Sequence, residues 1–282
     1  MRKRRSFISV VTMFLVLGLI FVFSRPVKAA ANGIKLKANR TYTAYDITGD
    51  GVKDKIRIKI ADPIDDETYT TLAVTVNGKT AYKLKNTRFY YVIANIYTLK
   101  NGQPFLYLYA PAENGDGPVC ALLKYTNGKF RKALDFTTIL EGYGNHMLGE
   151  VSSINGNKIV ITESLVSHSL GINAINFTYK YVNGKFVPAS RYGAYKRIYS
   201  GNEEDRYFTV NRALPTYTKP GSTVVSRTLE TGALVRIIKC AVINGKMYIQ
   251  LESEGEISWI NALNSPVIED NQKQFMEVRY AG

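Results

Sequence analysis

Residues 55–60 read Lys-Ile-Arg-Ile-Lys-Ile, and this alternation decides the fold class. The three isoleucines face one way and the three cations the other, because successive side chains of a β-strand point to opposite faces of the sheet. Strand-like segments follow at 105–109 (Phe-Leu-Tyr-Leu-Tyr) and 157–162 (Asn-Lys-Ile-Val-Ile-Thr). The only helical signal is a short turn near residues 136–140. The pattern therefore predicts an all-β protein.

Asn-Gly dipeptides set the spacing of the predicted strands, because Asn-Gly supplies the positive φ angles of a two-residue type I′ hairpin. They stand at 77–78, 101–102, 127–128, 155–156, 183–184 and 244–245. The first five recur at intervals of 24, 26, 28 and 28 residues. Two of the hairpins are near copies, Tyr-Thr-Asn-Gly-Lys-Phe at 125–130 and Tyr-Val-Asn-Gly-Lys-Phe at 181–186. This regularity predicts a repetitive, propeller-like β-sheet domain over residues 38–198.

A polar stretch, Ser-Gly-Asn-Glu-Glu-Asp-Arg at 200–206, interrupts this pattern. Its composition is typical of a linker, which we place at 199–206. A second compact domain is predicted at 207–267, as a small barrel of five short strands. The tail, 268–282, either adds an edge strand or stays loose. The five predicted strands of the barrel are 208–210, 223–229, 234–242, 247–252 and 257–260.

The first 31 residues have the pattern of an export signal. A basic start at Arg2, Lys3, Arg4 and Arg5 precedes an uncharged apolar stretch from residue 8 to 23, and alanines follow at 29–31. This order is typical of a cleaved secretory signal peptide. The alternative is an uncleaved anchor, which would be the chain's only contact with a membrane. Both alternatives predict a secreted or cell-surface protein.

The charge balance limits the classes of partner. The six cations of residues 1–31, where no acid occurs, reduce the formal charge from +14 to +8 when they are removed. This excess favours weak, salt-sensitive attraction to anionic envelope polymers or phospholipid surfaces. No basic run and no nucleic-acid-binding motif follows residue 31, so the sequence argues against nucleic acid as a partner.

The chain has two cysteines, Cys120 and Cys240, each within a strand-like segment. Two interpretations stay open: buried free thiols, or a single bridge between the two domains. Neither cysteine has the spacing or the neighbouring histidine of a zinc site.

The acidic segment 46–54 (Asp-Ile-Thr-Gly-Asp-Gly-Val-Lys-Asp) has the spacing by which EF-hand-like loops surround a hard cation. Because it precedes a strand, it resembles the D-x-N-G-D-G-x-x-D loops of FG-GAP and VCBS-type β-propeller repeats. That resemblance implies a structural Ca²⁺ ion. Its implied ligands are the side chains of Asp46, Thr48, Asp50 and Asp54 and the carbonyl of Val52. Thr48 replaces the usual Asn, Arg57 stands where an EF-hand has its bidentate Glu, and a metal-free turn is the alternative.

The predicted barrel resembles bacterial SH3 (SH3b) domains over its whole length. The family often has "NGxWYKV" where this chain has Asn-Gly-Lys-Met-Tyr-Ile-Gln-Leu at 244–251, and "GWI" where it has Ser-Trp-Ile at 258–260. Met247 and Ser258 depart from that pattern. The resemblance implies binding of wall peptide or glycan, with Tyr217, Tyr248 and Trp259 as candidate contacts. Further matching segments are Leu-Pro-Thr-Tyr at 214–217, Lys-Pro-Gly-Ser at 219–222, Val224-Val225, Gly232 and 235–238.

Catalytic groups are sparse. The two histidines, His146 and His168, match no metal-binding or nucleophile motif. Glu141, Glu150 and Glu163 would form a glycosidase pair only if the fold brought them together, and we interpret them as solvated surface acids.

The sequence therefore predicts a non-catalytic binding protein at the envelope of a Gram-positive-type bacterium. Its partner would be cell-wall peptide or glycan, or another envelope protein. The alternative is a regulatory or assembly partner whose barrel packs on its own β domain, and a cell-wall hydrolase is a third class.

Overall fold

The structure, a computed structural model, describes residues 33–113, 117–196, 206–267 and 269–278. The predicted signal, all of the predicted linker except Arg206, and five residues of the tail lie outside the described residues. Strands dominate the described chain and every strand pair is antiparallel, so the all-β prediction is confirmed. Short 3-10 helices occur at Phe136–Thr138 and Asp270–Gln272. No helix in the described ranges is long and apolar enough to span a membrane.

Two sheets form the first half of the described chain. Strands β2–β5 form the first sheet in sequence order, and β6–β9 form the second in the same way, with β1 added beside β6. The strands are β1 (Ile34–Leu36), β2 (Thr41–Tyr45), β3 (Asp54–Pro63), β4 (Tyr69–Val76), β5 (Lys79–Leu84), β6 (Ile93–Thr98), β7 (Pro104–Ala110), β8 (Val119–Thr126) and β9 (Lys129–Asp135).

A nine-stranded third sheet and a two-stranded hairpin follow. The third sheet has the order β10-β11-β12-β14-β18-β19-β20, with β13 paired to β12 and β15 to β18, while β16 and β17 form a separate two-stranded sheet. None of these sheets closes on itself within the described residues. The strands are β10 (Gly144–Asn155), β11 (Lys158–Ser167), β12 (Gly171–Val182), β13 (Lys185–Pro188), β14 (Tyr192–Lys196), β15 (Tyr207–Thr209), β16 (Leu214–Thr216), β17 (Arg227–Leu229), β18 (Leu234–Ile243), β19 (Lys246–Ser253) and β20 (Glu256–Asn261).

The second sheet is the middle layer of the stack, and this explains its sequence. Every residue of β7 is buried. Phe105, Tyr107 and Tyr109 face a core shared with the third sheet, whereas Leu106 and Leu108 face a core shared with the first sheet. A strand covered on both faces has no solvent side, so its sequence is apolar at nearly every position. Among the described residues, the first sheet is covered on one face only, and β3 alternates accordingly.

The Asn-Gly turns connect neighbouring strands as predicted, but in two geometries. At 77–78, 127–128, 183–184 and 244–245 both residues have positive φ, as a type I′ turn requires. At 101–102 and 155–156 only the glycine does. The near-copied hairpins also match in three dimensions, because Tyr125 pairs with Phe130 and Tyr181 with Phe186 across their strands.

The predicted strand 223–229 is wrong in its first half, since β17 begins only at Arg227. Ser222 Oγ accepts a hydrogen bond from the Val224 amide at 3.1 Å. This local turn competes with extended pairing and leaves the Val224 side chain 75% exposed.

The third sheet combines strands from both sides of the predicted linker. Tyr192, Gly193 and Ala194 of β14 pair with residues of β18, so strands from both predicted domains share one sheet. A Cβ atom at Gly193 would lie 2.5 Å from side-chain atoms of Ile175 and Phe177, so the close packing of β14 requires glycine there.

Both cysteines are buried and unpaired, which confirms the free-thiol interpretation over the disulfide bridge. Burial raises the pKa of the Cys240 thiol to about 12. This thiol is therefore protonated at neutral pH and unreactive.

Candidate functional site

The three side chains predicted as ligand contacts lie together. Tyr248 on β19 and Trp259 on β20 share a small apolar cluster, and Tyr217, just after β16, packs against it. The backbones of Tyr217 and Trp259 exchange two hydrogen bonds, each 2.8 Å from nitrogen to oxygen. This bridge attaches the β16–β17 hairpin to β20 and holds Tyr217 beside the indole.

Tyr192 joins this group, and the sequence reasoning missed it. Its ring centroid lies 5.9 Å from that of Trp259. The Lys239 ammonium lies 4.6 Å from the Tyr192 ring centroid and 6.0 Å from that of Trp259. The Arg191 guanidinium lies 5.1 Å from the Tyr192 centroid and donates to the Tyr192 hydroxyl at 3.0 Å. The pairing of β14 with β18 brings Tyr192 to Lys239 and Trp259, and no local sequence pattern predicts that pairing.

We call this group the aromatic–cation cluster; its members are Arg191, Tyr192, Tyr217, Lys239, Tyr248 and Trp259. Trp259 and Tyr248 are buried, whereas Tyr192 and Tyr217 are half-buried. Neither cation forms an ion pair with an acid among the described residues. The cluster can therefore pack an apolar ring face against tyrosine while a cation meets a carboxylate.

The acidic loop is closed by hydrogen bonds from its own backbone. Asp46 accepts from the amides of Gly49, Asp50 and Gly51, at nitrogen–oxygen distances of 2.6, 3.2 and 2.7 Å. Desolvation opposes ionisation of Asp46, but these amides and the Thr48 hydroxyl outweigh it and lower the pKa of this carboxyl. Asp50 accepts from the amide of Val52, whose side chain is 66% exposed.

Asp54 fixes the same loop from the start of β3, and its side chain is buried. Its Oδ2 accepts from the amides of Ile47 and Thr48 at 2.8 and 2.9 Å, and its Oδ1 accepts from the Asn77 side-chain amide at 2.6 Å. In the described ranges, no three acidic, histidine or cysteine side chains gather closely enough to hold a metal ion. The carboxylates of 46–54 form no such group among the described residues, and each of them accepts hydrogen bonds from backbone amides instead.

A buried acid–base pair lies between the second and third sheets. His146 Nε2 is 3.3 Å from Glu163 Oε2, and Glu163 is only 2% exposed. The interpretation of Glu163 as a solvated surface acid is therefore wrong, because β11 turns it inward beside β10. Glu141 and Glu150 are exposed.

The space beside this pair is too small for a substrate. The adjoining cavity has a volume of about 20 Å³, which is room for one water molecule. Burial raises the pKa of Glu163 to about 7, although contact with His146 partly offsets that effect. Gly149 packs closely here, since a Cβ atom would lie 2.6 Å from Glu163 Oε1.

Comparisons of the chain with protein-family models, with curated proteins and with solved structures found no match.

Proposed function

We propose that this protein is an exported, non-catalytic binding protein of the envelope of a Gram-positive-type bacterium, which docks cell-wall peptide or glycan through its C-terminal segment. The observation that carries the proposal is the aromatic–cation cluster. Wall fragments combine sugar rings, whose C–H faces pack on aromatic rings, with peptide carboxylates. Half-buried tyrosines beside Lys239 and Arg191 complement both features.

Within this proposal, the stacked sheets form a propeller-like frame and the C-terminal segment is an SH3-like module. Two consecutive four-stranded meanders, β2–β5 and β6–β9, support the first assignment. The Tyr217–Trp259 bridge, which joins β16 to the edge strand β20, supports the second.

The same proposal states that the protein is not a catalyst. The His146–Glu163 pair is the described group closest to an acid–base device, and its cavity admits a single water rather than a sugar or peptide. A hydrolase would need that pair within reach of a substrate bond. Turnover of muropeptides by the purified chain would contradict this part.

The test is retention of residues 33–282 on purified peptidoglycan from which covalently bound anionic polymers have been stripped. We expect Tyr192→Ala/Tyr217→Ala to lose most of the retention. The matched control is Tyr90→Ala/Tyr91→Ala, which removes two exposed tyrosines elsewhere and should bind like the wild type. Lys239→Gln provides a variant that leaves the ring packing in place. Equal retention of all four proteins would contradict the proposal.

The pairing of β14 with β18 supports a second candidate, an assembly partner whose C-terminal segment packs on its own β domain. In that function the aromatic–cation cluster only stabilises the packing of the C-terminal segment on the β domain. Tyr192→Ala/Tyr217→Ala would then lower the melting temperature without a specific loss of wall retention, so one set of variants separates the two candidates.

A further inference from the structure

The uncovered face of the first sheet carries cations on two sides of a depression. Strand β3 presents Lys55, Arg57 and Lys59 on this face, and all three are exposed. On the far side of β4, strand β5 presents Lys83, and Lys85 follows just after it; both are exposed. Because β3 and β5 are separated by two strand spacings, the two rows stand about 10 Å apart.

The strand between the two rows carries only small side chains on this face. Strand register places Ala73 directly between Lys59 and Lys83, and Thr75 beside Arg57. Thr71 completes the floor. Long side chains on both sides of a small-residue strand leave an open depression of about 680 Å³. We call it the sheet trough: a floor of Thr71, Ala73 and Thr75 between Lys55, Arg57, Lys59, Lys83 and Lys85.

The positive charge of the sheet trough is not balanced locally. Among the described residues that line it, Asp62 is the one acid and five are cations, so this lining carries a formal charge of +4. Among the described residues, none of the five cations forms an ion pair with an acid. Repulsion from Lys85 and desolvation lower the pKa of Lys83, with a smaller contribution from Lys59, and attraction to Asp62 only partly opposes them. Cations that serve only solubility are usually interspersed with acids, whereas here an anion would relieve the repulsion.

The shape and lining of the sheet trough favour one class of anion. No aromatic ring of the described residues lines it, so these residues offer no stacking surface for nucleic-acid bases. None of the described lining residues has a large apolar side chain either, and a flat bilayer would touch a concave face only at its rims. A linear chain can lie along the floor and meet cations on both sides, where the Thr71 hydroxyl can donate to an anionic oxygen.

We propose that the sheet trough binds a linear polyanion of phosphodiester-linked repeats, as an anionic envelope polymer would present. This second surface lies on a different sheet from the aromatic–cation cluster and acts independently of it. Because successive outward-facing residues of β3 are about 6.6 Å apart, the row of cations contacts several consecutive repeats of an extended chain.

The test measures binding of end-labelled poly(glycerol phosphate) to residues 33–282 by fluorescence anisotropy over a range of salt concentrations. We expect Lys59→Gln/Lys83→Gln to weaken binding about tenfold at low salt. We also expect it to reduce the slope of log K against log salt by about 1.4, because two phosphate contacts are lost. The control Lys185→Gln/Lys246→Gln changes the net charge equally at two exposed sites elsewhere and should lose less than about twofold.

Parallel measurements use phosphatidylglycerol vesicles and poly(dT). Equal losses for the two double variants would show that net charge alone acts and would overturn the proposal. Tighter binding to vesicles or to poly(dT) than to the polymer would overturn it in favour of a lipid surface or nucleic acid. Retention on stripped peptidoglycan should be the same for wild type and trough variant, so failure here is distinguishable from failure of the proposed function.

Discussion

Asp54, at the start of β3, accepts hydrogen bonds from two loop amides and from the side chain of Asn77 in a neighbouring turn. Asp54→Ala leaves the buried Ile47 amide without its acceptor, and we expect it to lower the free energy of unfolding by about 3 kcal/mol. Asp50→Ala removes an exposed carboxylate and should cost less than about 1 kcal/mol. Urea denaturation of both variants measures the difference. Similar small effects would show that the Asp54 contacts contribute little.

The calcium interpretation of this loop stays a prediction. It predicts that residues 33–282 melt at a higher temperature in millimolar Ca²⁺ than in chelator. It also predicts that the Asp50→Ala variant shows no such difference in melting temperature. Superimposable melting curves for both proteins in both solutions would refute it.

Glu163 makes the free energy of unfolding decrease as the pH rises. Its folded-state pKa of about 7 lies above the ordinary value of 4.5, so the folded chain binds the proton more tightly than the unfolded chain. Its contribution is therefore most favourable below pH 4.5, declines as pH rises to 7, and levels off above that. The total change is roughly 3 kcal/mol.

Glu163→Gln removes this titration, so we expect wild type to lose more stability than the variant between pH 5 and pH 7.5. Denaturant titrations at the two pH values measure it. His168, whose pKa burial lowers, titrates in both proteins and largely cancels in the comparison. Equal changes in both proteins would contradict the assignment.

At the scale of elements, local sequence patterns predicted strands and turns better than they predicted which strands pair. The alternation of 55–60 and the Asn-Gly dipeptides depend on neighbours in sequence, and both correctly placed strands and turns. Glu254-Gly255 was missed because Glu is unusual in a type I′ turn, yet both residues have positive φ between β19 and β20. Turn geometry there is imposed by the strands on either side.

The same turn gives a prediction. Glu254→Asn should raise the free energy of unfolding by about 0.5–1 kcal/mol, because Asn adopts positive φ with less strain than Glu. The reciprocal change Asn244→Glu, at a turn of the same type, should lower it by a similar amount. Urea denaturation of the two variants measures both shifts, and a Glu254→Asn protein less stable than wild type would contradict this reading of the turn.

At the scale of the whole molecule, the functional surfaces depend on register and on which strands are neighbours. The three cations of β3 were expected on one face, but Lys83 joins them only through the pairing of β4 with β5. Tyr192 reaches Trp259 only because β14 pairs with β18, and Glu163 meets His146 only through the pairing of β10 with β11. Composition and local periodicity do not encode such long-range partners, so the sequence predicted three of the six cluster members and missed Arg191, Tyr192 and Lys239.

Trp259 is the only tryptophan of the chain, so its emission reports directly on the aromatic–cation cluster. The most direct test of the central claim is a titration of residues 33–282 with soluble peptidoglycan fragments, followed by tryptophan fluorescence. We expect a saturable change in wild type, its loss in Tyr192→Ala/Tyr217→Ala, and its retention in Tyr90→Ala/Tyr91→Ala. Emission that stays constant to millimolar fragment in the wild type would contradict docking at this cluster.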